Sequence, residues 1–165
     1  MEAIVVYESL WGNTEQVARA IAEGIGADAR ALSTTQVAPA DVADADLIVA
    51  GAPLLGFSLP TQAMRDGIRT NPGTAPRPPD LSAPLMRSWL ESVPNGSGCC
   101  AGFETRIWWS PGSAAKQIAS ALQGRGYRPI AEPGRFVVTG KFGPLKDGEL
   151  DRARAWGAGL ASAIT

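Results

Sequence analysis

Ser9-Leu10-Trp11-Gly12-Asn13-Thr14 is the stretch that decides the fold, because of the patterns on either side of it. An apolar run, Ala3–Tyr7, precedes it, and apolar residues follow it at helical spacing, at Val17, Ala18, Ile21 and Ile25. This pattern predicts a strand, a short polar loop and a helix that begins at Asn13. The first N–H groups of a helix have no partners within the helix, and the helix dipole is positive there. The loop is therefore expected to bind an anion.

The side chains of this loop indicate which anion it binds. Ser9 and Thr14 supply hydroxyl groups and Asn13 supplies an amide, whereas the loop contains no Lys or Arg. All three side chains can donate hydrogen bonds to an oxyanion without adding charge. The sequence therefore predicts a phosphate monoester that is held by neutral donors.

Residues Val5–Ile21 resemble the FMN-phosphate signature of the flavodoxin family over seventeen consecutive positions. Phe142–Leu145 and Gly148–Ala153 also resemble flavodoxins, so the resemblance covers the whole chain in outline. It implies that the cofactor is FMN and that its phosphate contacts Ser9, Leu10, Trp11, Gly12, Asn13 and Thr14. The alternative is that Gly, Ser, Asn and Thr only make the turn and cap the helix. The length of the match favours the phosphate site.

The size and composition of the chain predict one soluble domain. Its 165 residues correspond to about one domain, here a single flavodoxin-like domain over residues 1–165, and 45% of them are hydrophobic. No apolar run approaches the roughly 20 residues that a membrane helix needs. The first strand begins close to Met1, which leaves no room for a signal peptide, so a cytoplasmic location is expected.

Histidine is absent from the chain, and the only cysteines are the adjacent pair Cys99 and Cys100. The absence of histidine excludes Ser-His-Asp and Cys-His nucleophilic sites and haem ligated by histidine. Most catalytic zinc sites are excluded for the same reason. Side chains that are adjacent on a strand point to opposite faces, so the two cysteines are interpreted as buried core thiols. No metal site is predicted.

The charge of the chain is nearly balanced, with fifteen basic and sixteen acidic residues and a net charge of -1. No basic stripe stands out, so nucleic acid is not an expected partner. Flavodoxins that shuttle electrons are strongly acidic, and this chain departs from that pattern. Steering of a partner by net charge is therefore expected to be weak.

Strand and helix patterns alternate along the chain, which predicts parallel βαβ units. Strands are predicted at Ala3–Tyr7, Asp28–Ala31, Asp46–Gly51, Ser97–Phe103 and Phe136–Thr139. Helices are predicted at Asn13–Ile25, Thr61–Arg69, Leu85–Ser92, Gly112–Arg125 and Asp147–Ile164, with a proline-rich surface loop over Thr70–Pro84. Right-handed crossovers then give an α/β three-layer sandwich with a five-stranded parallel sheet in the flavodoxin-like order 2-1-3-4-5.

In such a sheet the ligand lies at the carboxyl ends of the strands, where the loops after strands 1, 3 and 4 meet. The loop after strand 3, Ala52–Pro60, is apolar and is framed by two prolines. It is expected to contact the flavin ring through Phe57 or Leu55, with Gly56 offering its carbonyl to the flavin N5 hydrogen after reduction. The alternative is a hydrophobic plug under the proline-rich loop. The predicted contacts from this loop are Pro53, Leu54, Leu55, Gly56 and Phe57.

The loop after strand 4, Glu104–Pro111, is predicted to form the other wall of the site. Two adjacent tryptophans cannot both lie in the core, so Trp108 or Trp109 is expected to stack on the ring. Arg106 either stabilises the negative charge of the reduced flavin or pairs with Glu104. The predicted contacts from this loop are Glu104, Thr105, Arg106, Trp108 and Trp109. Flavodoxins that shuttle electrons have different residues in the loops after strands 3 and 4. The resemblance therefore supports the predicted ring contacts less strongly than the predicted phosphate contacts.

The function predicted first is an FMN-binding electron-transfer protein of flavodoxin type, with a redox protein or a small electron acceptor as its partner. A second interpretation is an FMN-dependent NAD(P)H oxidoreductase of the quinone reductase type, which the near-neutral charge and the long proline-rich loop favour. A third is a binding module without flavin on the same fold. A carrier is preferred to a stand-alone enzyme, and no catalytic residue is predicted.

Overall fold

The computed structural model describes all 165 residues, in six strands and six helices. The strands are β1 (Ala3–Tyr7), β2 (Ala29–Ser33), β3 (Leu47–Pro53), β4 (Cys99–Ile107), β5 (Arg128–Pro129) and β6 (Gly134–Val138). The helices are α1 (Asn13–Ile25), α2 (Pro39–Ala43), α3 (Gln62–Thr70), α4 (Met86–Ser92), α5 (Ala114–Gln123) and α6 (Glu149–Ile164). No helix is both long enough and apolar enough to cross a membrane.

All strand pairs are parallel, and the order β2-β1-β3-β4-β5 confirms the predicted topology. The fifth position of the sheet is divided between two short strands that both pair with β4. β5 starts opposite Cys99, and β6 starts opposite Phe103. The sheet therefore has six strands instead of the predicted five, because residues 130–133 interrupt its last position.

The two faces of the sheet carry two apolar clusters, which makes the fold three layers thick. One cluster lies under α1 and α6, with Val5, Val49, Phe103 and Phe136 at its centre. The other lies under α4 and α5, with Ile4, Ile48, Met86 and Ile118 at its centre. Alternate residues of one strand point to opposite faces, so each central strand contributes to both clusters.

The sequence prediction was also wrong at two other places in the chain. Helix α2 was not predicted, because it has only five residues and a single buried side chain, Val42. The predicted loop Glu104–Pro111 is strand as far as Ile107, where it pairs with β6. The polar residues of this segment are typical of a loop, which is why a loop was predicted. Glu104 is nevertheless buried in the strand, because its carboxylate has hydrogen-bond partners inside the protein.

Several other predictions about the chain are confirmed. The predicted helix Thr61–Arg69 is α3, and Thr61 is its N-cap, since the Thr61 hydroxyl accepts a hydrogen bond from the Met64 N–H at 3.2 Å. Residues 71–85 contain no helix or strand, as their proline content predicts. Cys99 and Cys100 are buried free thiols. Burial raises the pKa of Cys100 to about 11, so its thiol stays protonated at neutral pH.

Candidate functional site

A cleft of about 260 Å³ opens at the carboxyl ends of the central strands. The loops after β1, β3 and β4 form its walls, as the topology predicts, and the loop after β6 joins them. The lining residues are Ser9, Leu10, Trp11, Asn13, Thr14, Pro53, Leu54, Leu55, Gly56, Thr105, Arg106, Ile107, Ser110, Val138 and Lys141. This set brings together most of the residues that the sequence singled out.

The loop between β1 and α1 presents backbone N–H groups that have no acceptor within the protein. The N–H groups of Leu10, Trp11, Asn13 and Thr14 make no hydrogen bond, and all four residues line the cleft. Gly12, whose φ of 95° is left-handed, precedes the helix. The N–H groups therefore lie at the positive end of α1, where an oxyanion is stabilised.

The side chains of this loop have donors left over after their internal bonds are made. The Ser9 hydroxyl accepts from the N–H groups of Gly12 and Glu15, at 3.1 and 3.3 Å, so its own O–H remains free to donate. The hydroxyls of Thr14 and Thr105 share one hydrogen bond of 2.8 Å, which leaves one O–H of the pair free. The Asn13 amide donates one hydrogen to Phe142 O at 3.1 Å and keeps the other.

Trp11 fixes the loop in a small apolar cluster beside the cleft. Its ring meets Phe142 edge to face at 4.9 Å between centroids, and Leu10 and Ile68 complete the buried part of the cluster. The Arg77 guanidinium donates to the Trp11 carbonyl and lies where a Cβ on Gly12 would be. The positive φ therefore favours glycine at position 12, and a side chain there would also have to displace the flexible end of Arg77.

The loop after β3 folds into a tight turn. The backbones of Leu55 and Ser58 exchange two hydrogen bonds of 3.0 and 2.9 Å around Gly56 and Phe57. Both central residues have positive φ, 49° and 71°, as in a type I′ turn. Leu55 and Gly56 line the cleft, whereas Phe57 is 58% exposed and lies outside the lining. Of the two predicted ring contacts, the structure brings Leu55 to the cleft.

The segment after Gly102 is organised by the buried carboxylate of Glu104. This carboxylate accepts hydrogen bonds from Arg106 at 2.9 Å, Ser113 Oγ at 2.8 Å and the Ala115 N–H at 3.1 Å. Glu104 therefore connects β4 to the start of α5 and does not line the cleft. Arg106 pairs with Glu104, one of its two predicted roles, and it also lines the cleft.

Trp108 and Trp109 are 76% and 61% exposed, and neither lines the cleft. Their predicted stacking on a flavin ring therefore stays a prediction. Gly112, three residues after Trp109 in the same loop, lies against the loop after β3, since a Cβ on Gly112 would overlap the carbonyl of Phe57. The two loops thus form one continuous rim.

Sequence reasoning missed Lys141, which lines the cleft from the loop after β6. It also missed Val138, and it included Ile107 and Ser110 in the predicted wall Glu104–Pro111 without naming them as contacts. The available signal was topological, because the loop after the last strand opens at the same edge of the sheet as the others. With Lys141 and Arg106 the cleft has two cations on its wall and no carboxylate. The loop residues themselves carry only neutral donors, but the Arg77 guanidinium lies against Gly12. That an anion is held there by neutral donors alone stays a prediction.

A buried ion pair connects this site to the proline-rich loop. The Glu8 carboxylate, at the end of β1, accepts from Arg65 at 3.0 Å and from the Met86 N–H at 2.8 Å, and both charged side chains are almost fully buried. Arg65 also donates to the carbonyl of Ala83. Burial is the largest influence on Glu8 and raises its pKa above the usual value despite the neighbouring arginine.

The donor set fits the phosphate of FMN. Four free N–H groups, the Ser9 O–H and one hydroxyl of the Thr14–Thr105 pair surround the start of α1, and an orphaned donor set of this kind needs an acceptor. The adjoining part of the cleft is apolar at Leu55 and Ile107, as a flat ring requires.

The profile of the flavodoxin family matches residues 5–156. The fold is similar to an archaeal flavodoxin, with 21% identity, 99% of each chain covered and a TM-score of 0.69. It is also similar to flavodoxin 1 of Bacillus cereus, with 19% identity, full coverage of both chains and a TM-score of 0.70. The flavodiiron core of Flv1 from Synechocystis shares 19% identity and a TM-score of 0.65, over 99% of this chain and 36% of that one. A comparison of the sequence with curated proteins gave no match. The match over nearly the whole chain places this protein in the flavodoxin family, whose members bind FMN and transfer electrons.

Proposed function

We propose that the chain is an electron carrier that holds the FMN phosphate on the loop between β1 and α1 and the flavin ring in the adjoining cleft. The observation that carries this assignment is the set of four N–H groups, of Leu10, Trp11, Asn13 and Thr14, that have no acceptor in the protein. They converge with free hydroxyl donors at a helix N-terminus, which is the arrangement that binds a phosphate dianion. We also propose that residues 1–165 act as one flavodoxin-like domain.

The remaining cleft residues would bind and orient the ring. Leu55 and Ile107 supply apolar contacts that exclude water, and the N–H of Leu54 is tied to the carbonyl of Thr105 at 2.9 Å, so the two walls are fixed relative to each other. Arg106 and Lys141 place positive charge beside the ligand. FMN supplies the redox chemistry when bound, accepting and donating electrons through its ring. Lys141, and Arg106 in its pair with Glu104, would help to stabilise the negative charge that reduction adds to the ring.

The partner that we propose is a redox protein or a small electron acceptor in the cytoplasm. Free thiols at Cys99 and Cys100 suit a reducing compartment. An enzyme of the quinone reductase type would instead oxidise NADPH steadily with a quinone as acceptor. We expect the FMN-loaded protein to show no such turnover, and steady turnover would replace the carrier assignment.

The assignment is tested by titrating the protein without flavin with FMN and with riboflavin, which lacks the phosphate. We expect FMN to bind much more tightly than riboflavin, measured by quenching of flavin fluorescence. Ser9→Ala and Thr14→Val should each weaken FMN binding by about tenfold, because a hydrogen bond to a charged group is lost. Neither substitution should change riboflavin binding, which makes riboflavin the internal control. Equal affinity for the two flavins would refute the phosphate site, and failure to bind either would refute the carrier.

A further inference from the structure

Three exposed aromatic side chains lie on the rim of the cleft. Phe57, Trp108 and Trp109, here called the aromatic patch, are 58%, 76% and 61% exposed. The only other large hydrophobic residue that is exposed in the protein is Met1. Because the backbone of Gly112 lies against the carbonyl of Phe57, the two loops that carry the patch are in contact. Large exposed apolar groups on adjoining loops mark an interaction site.

The backbone holds Phe57 on this surface in a conformation that costs free energy. Phe57 is the only residue other than glycine with a positive φ, 71°. The two hydrogen bonds between Leu55 and Ser58 maintain the turn. Backbone conformations of this kind cluster at binding sites, where the surrounding structure enforces them. The exposure of Phe57 is therefore imposed by the fold.

Free positive charges flank the patch. Lys116, in the first turn of α5, and Lys141, on the cleft, are exposed and form no ion pair. Arg87 forms none either, and it donates to the carbonyls of Leu59 and Pro60 beside the same loop. From Thr105 to Ala131 the chain contains no Asp or Glu.

Free carboxylates collect at the opposite edge of the sheet. Three of them directly precede a strand: Glu2 precedes β1, Asp28 precedes β2 and Asp46 precedes β3. Asp44 and Glu91 lie at the same amino end of the sheet. The separation is not complete. Arg125 and Arg128 lie at the acidic end, and Asp80 and Asp147 lie near the cleft. The protein with a net charge of -1 is nevertheless polarised, with its positive side on the cleft.

We propose that the aromatic patch and its flanking lysines are the docking surface for an acidic redox protein. This inference rests on the proposed function, since the patch borders the cleft that holds the flavin. An apolar aromatic centre with a charged rim is the usual composition of a protein interface. The polarised charge would orient an acidic partner toward the cleft, although the net charge is too small to attract it. A partner docked there would bring its redox group next to the flavin.

The experiment uses one haem protein in two charge states. Mitochondrial cytochrome c is strongly basic, and succinylation of its lysines makes it acidic without replacing the haem. FMN-loaded protein, reduced with one equivalent of dithionite so that no reductant is left over, is mixed with the oxidised, ferric state of each form in a stopped-flow instrument at low and at high ionic strength. Each haem iron then takes one electron from the reduced flavin. We expect the acidic form to react at least about tenfold faster at low ionic strength, and the difference to disappear at high ionic strength. Faster reaction of the basic form at low ionic strength would overturn the proposal.

Two matched variants separate local charge from net charge. Lys116→Glu and Arg128→Glu make the same change in net charge at opposite ends of the molecule, and both sites are exposed. We expect Lys116→Glu to slow the reaction with the acidic form about fivefold at low ionic strength, and Arg128→Glu to leave it nearly unchanged. Equal effects of the two variants would overturn the proposal, because net charge alone would then explain the rates.

The apolar part of the surface is tested with Trp108→Ala and Trp109→Ala. Each should slow the reaction with the acidic form at high ionic strength, where charge is screened, when the variants are compared at full FMN occupancy. A loss of FMN affinity with no effect on the reaction rate would assign the tryptophans to the flavin and overturn the docking role. All rates are measured on protein with confirmed flavin content. Failure to bind FMN therefore rejects the proposed function, whereas loaded, reducible protein without charge preference rejects the docking surface alone.

Discussion

The buried pair of Glu8 and Arg65 should be essential for stability, and Arg65→Met tests this directly. Methionine keeps much of the length of the arginine side chain but removes its charge. The Glu8 carboxylate, whose side chain has no exposed surface, would then keep only the Met86 N–H as a partner. Removal of one partner from a buried ion pair costs about 3–5 kcal/mol, because the remaining charge is left without compensation. That is a large part of the total stability of an ordinary domain.

The pH dependence of this loss follows from the pKa of Glu8, which burial already raises in the intact protein. Without Arg65 the folded-state pKa rises further above the unfolded-state value. The folded state then binds more protons than the unfolded state between these two pKa values, so the free energy of unfolding falls as the pH rises through this interval. The penalty should be fully present at pH values above the folded-state pKa and should shrink on acidification, when Glu8 takes up a proton.

Urea unfolding, followed by tryptophan fluorescence, measures both effects. With a slope of about 2–3 kcal/mol per molar urea, the expected loss moves the midpoint down by roughly 1–2.5 M at neutral pH. The double variant Glu8→Gln/Arg65→Met removes both charges and should recover most of the loss. The reasoning is refuted if the double variant is as unstable as Arg65→Met, or if the loss caused by Arg65→Met does not change with pH.

Three further predictions concern single side chains. Gly12→Ala forces a left-handed φ on a residue with a Cβ and displaces Arg77, so FMN should bind about tenfold more weakly in a fluorescence titration; unchanged affinity would show that the loop adapts. Glu149, whose pKa is lowered mainly by its hydrogen bond to Arg152, stabilises the protein above its unfolded-state pKa and loses this effect as the pH falls through its folded-state pKa. Glu149→Gln should therefore lower the urea midpoint at neutral pH and not at strongly acid pH, and an equal difference at both pH values would contradict this. Thr61→Ala removes the cap of α3 and should cost about 0.5–2 kcal/mol in urea unfolding, whereas Thr61→Ser should cost little.

The sequence predicted the parts of the fold that depend on local pattern. The bounds of β1 and α1 agree with the prediction at every residue, because a continuous apolar run and a clear helical period meet at a polar loop. Strand order followed from the right-handed crossover rule. The extent of β4 did not follow, because Glu104 is buried through partners on α5 that are close only in the folded chain.

The same distinction applies to the site. The phosphate loop is one continuous segment, so all of its donors could be identified from the local sequence. Lys141 reaches the cleft from a loop that is far along the chain, and no local pattern marks it. The orientation of Phe57 depends on the sign of φ in a two-residue turn. A turn of this type normally has glycine or asparagine at the position of Phe57, so the sequence does not indicate the turn.

The division of the last sheet position into β5 and β6 has a consequence for self-association. A long, flat outer strand offers unpaired backbone groups that can recruit a strand from another molecule and start aggregation. Here the outermost pieces are two and five residues long, the shorter one contains Pro129, and a non-strand segment separates them. Proline cannot donate a backbone hydrogen bond, so this border of the sheet is a poor template for strand addition.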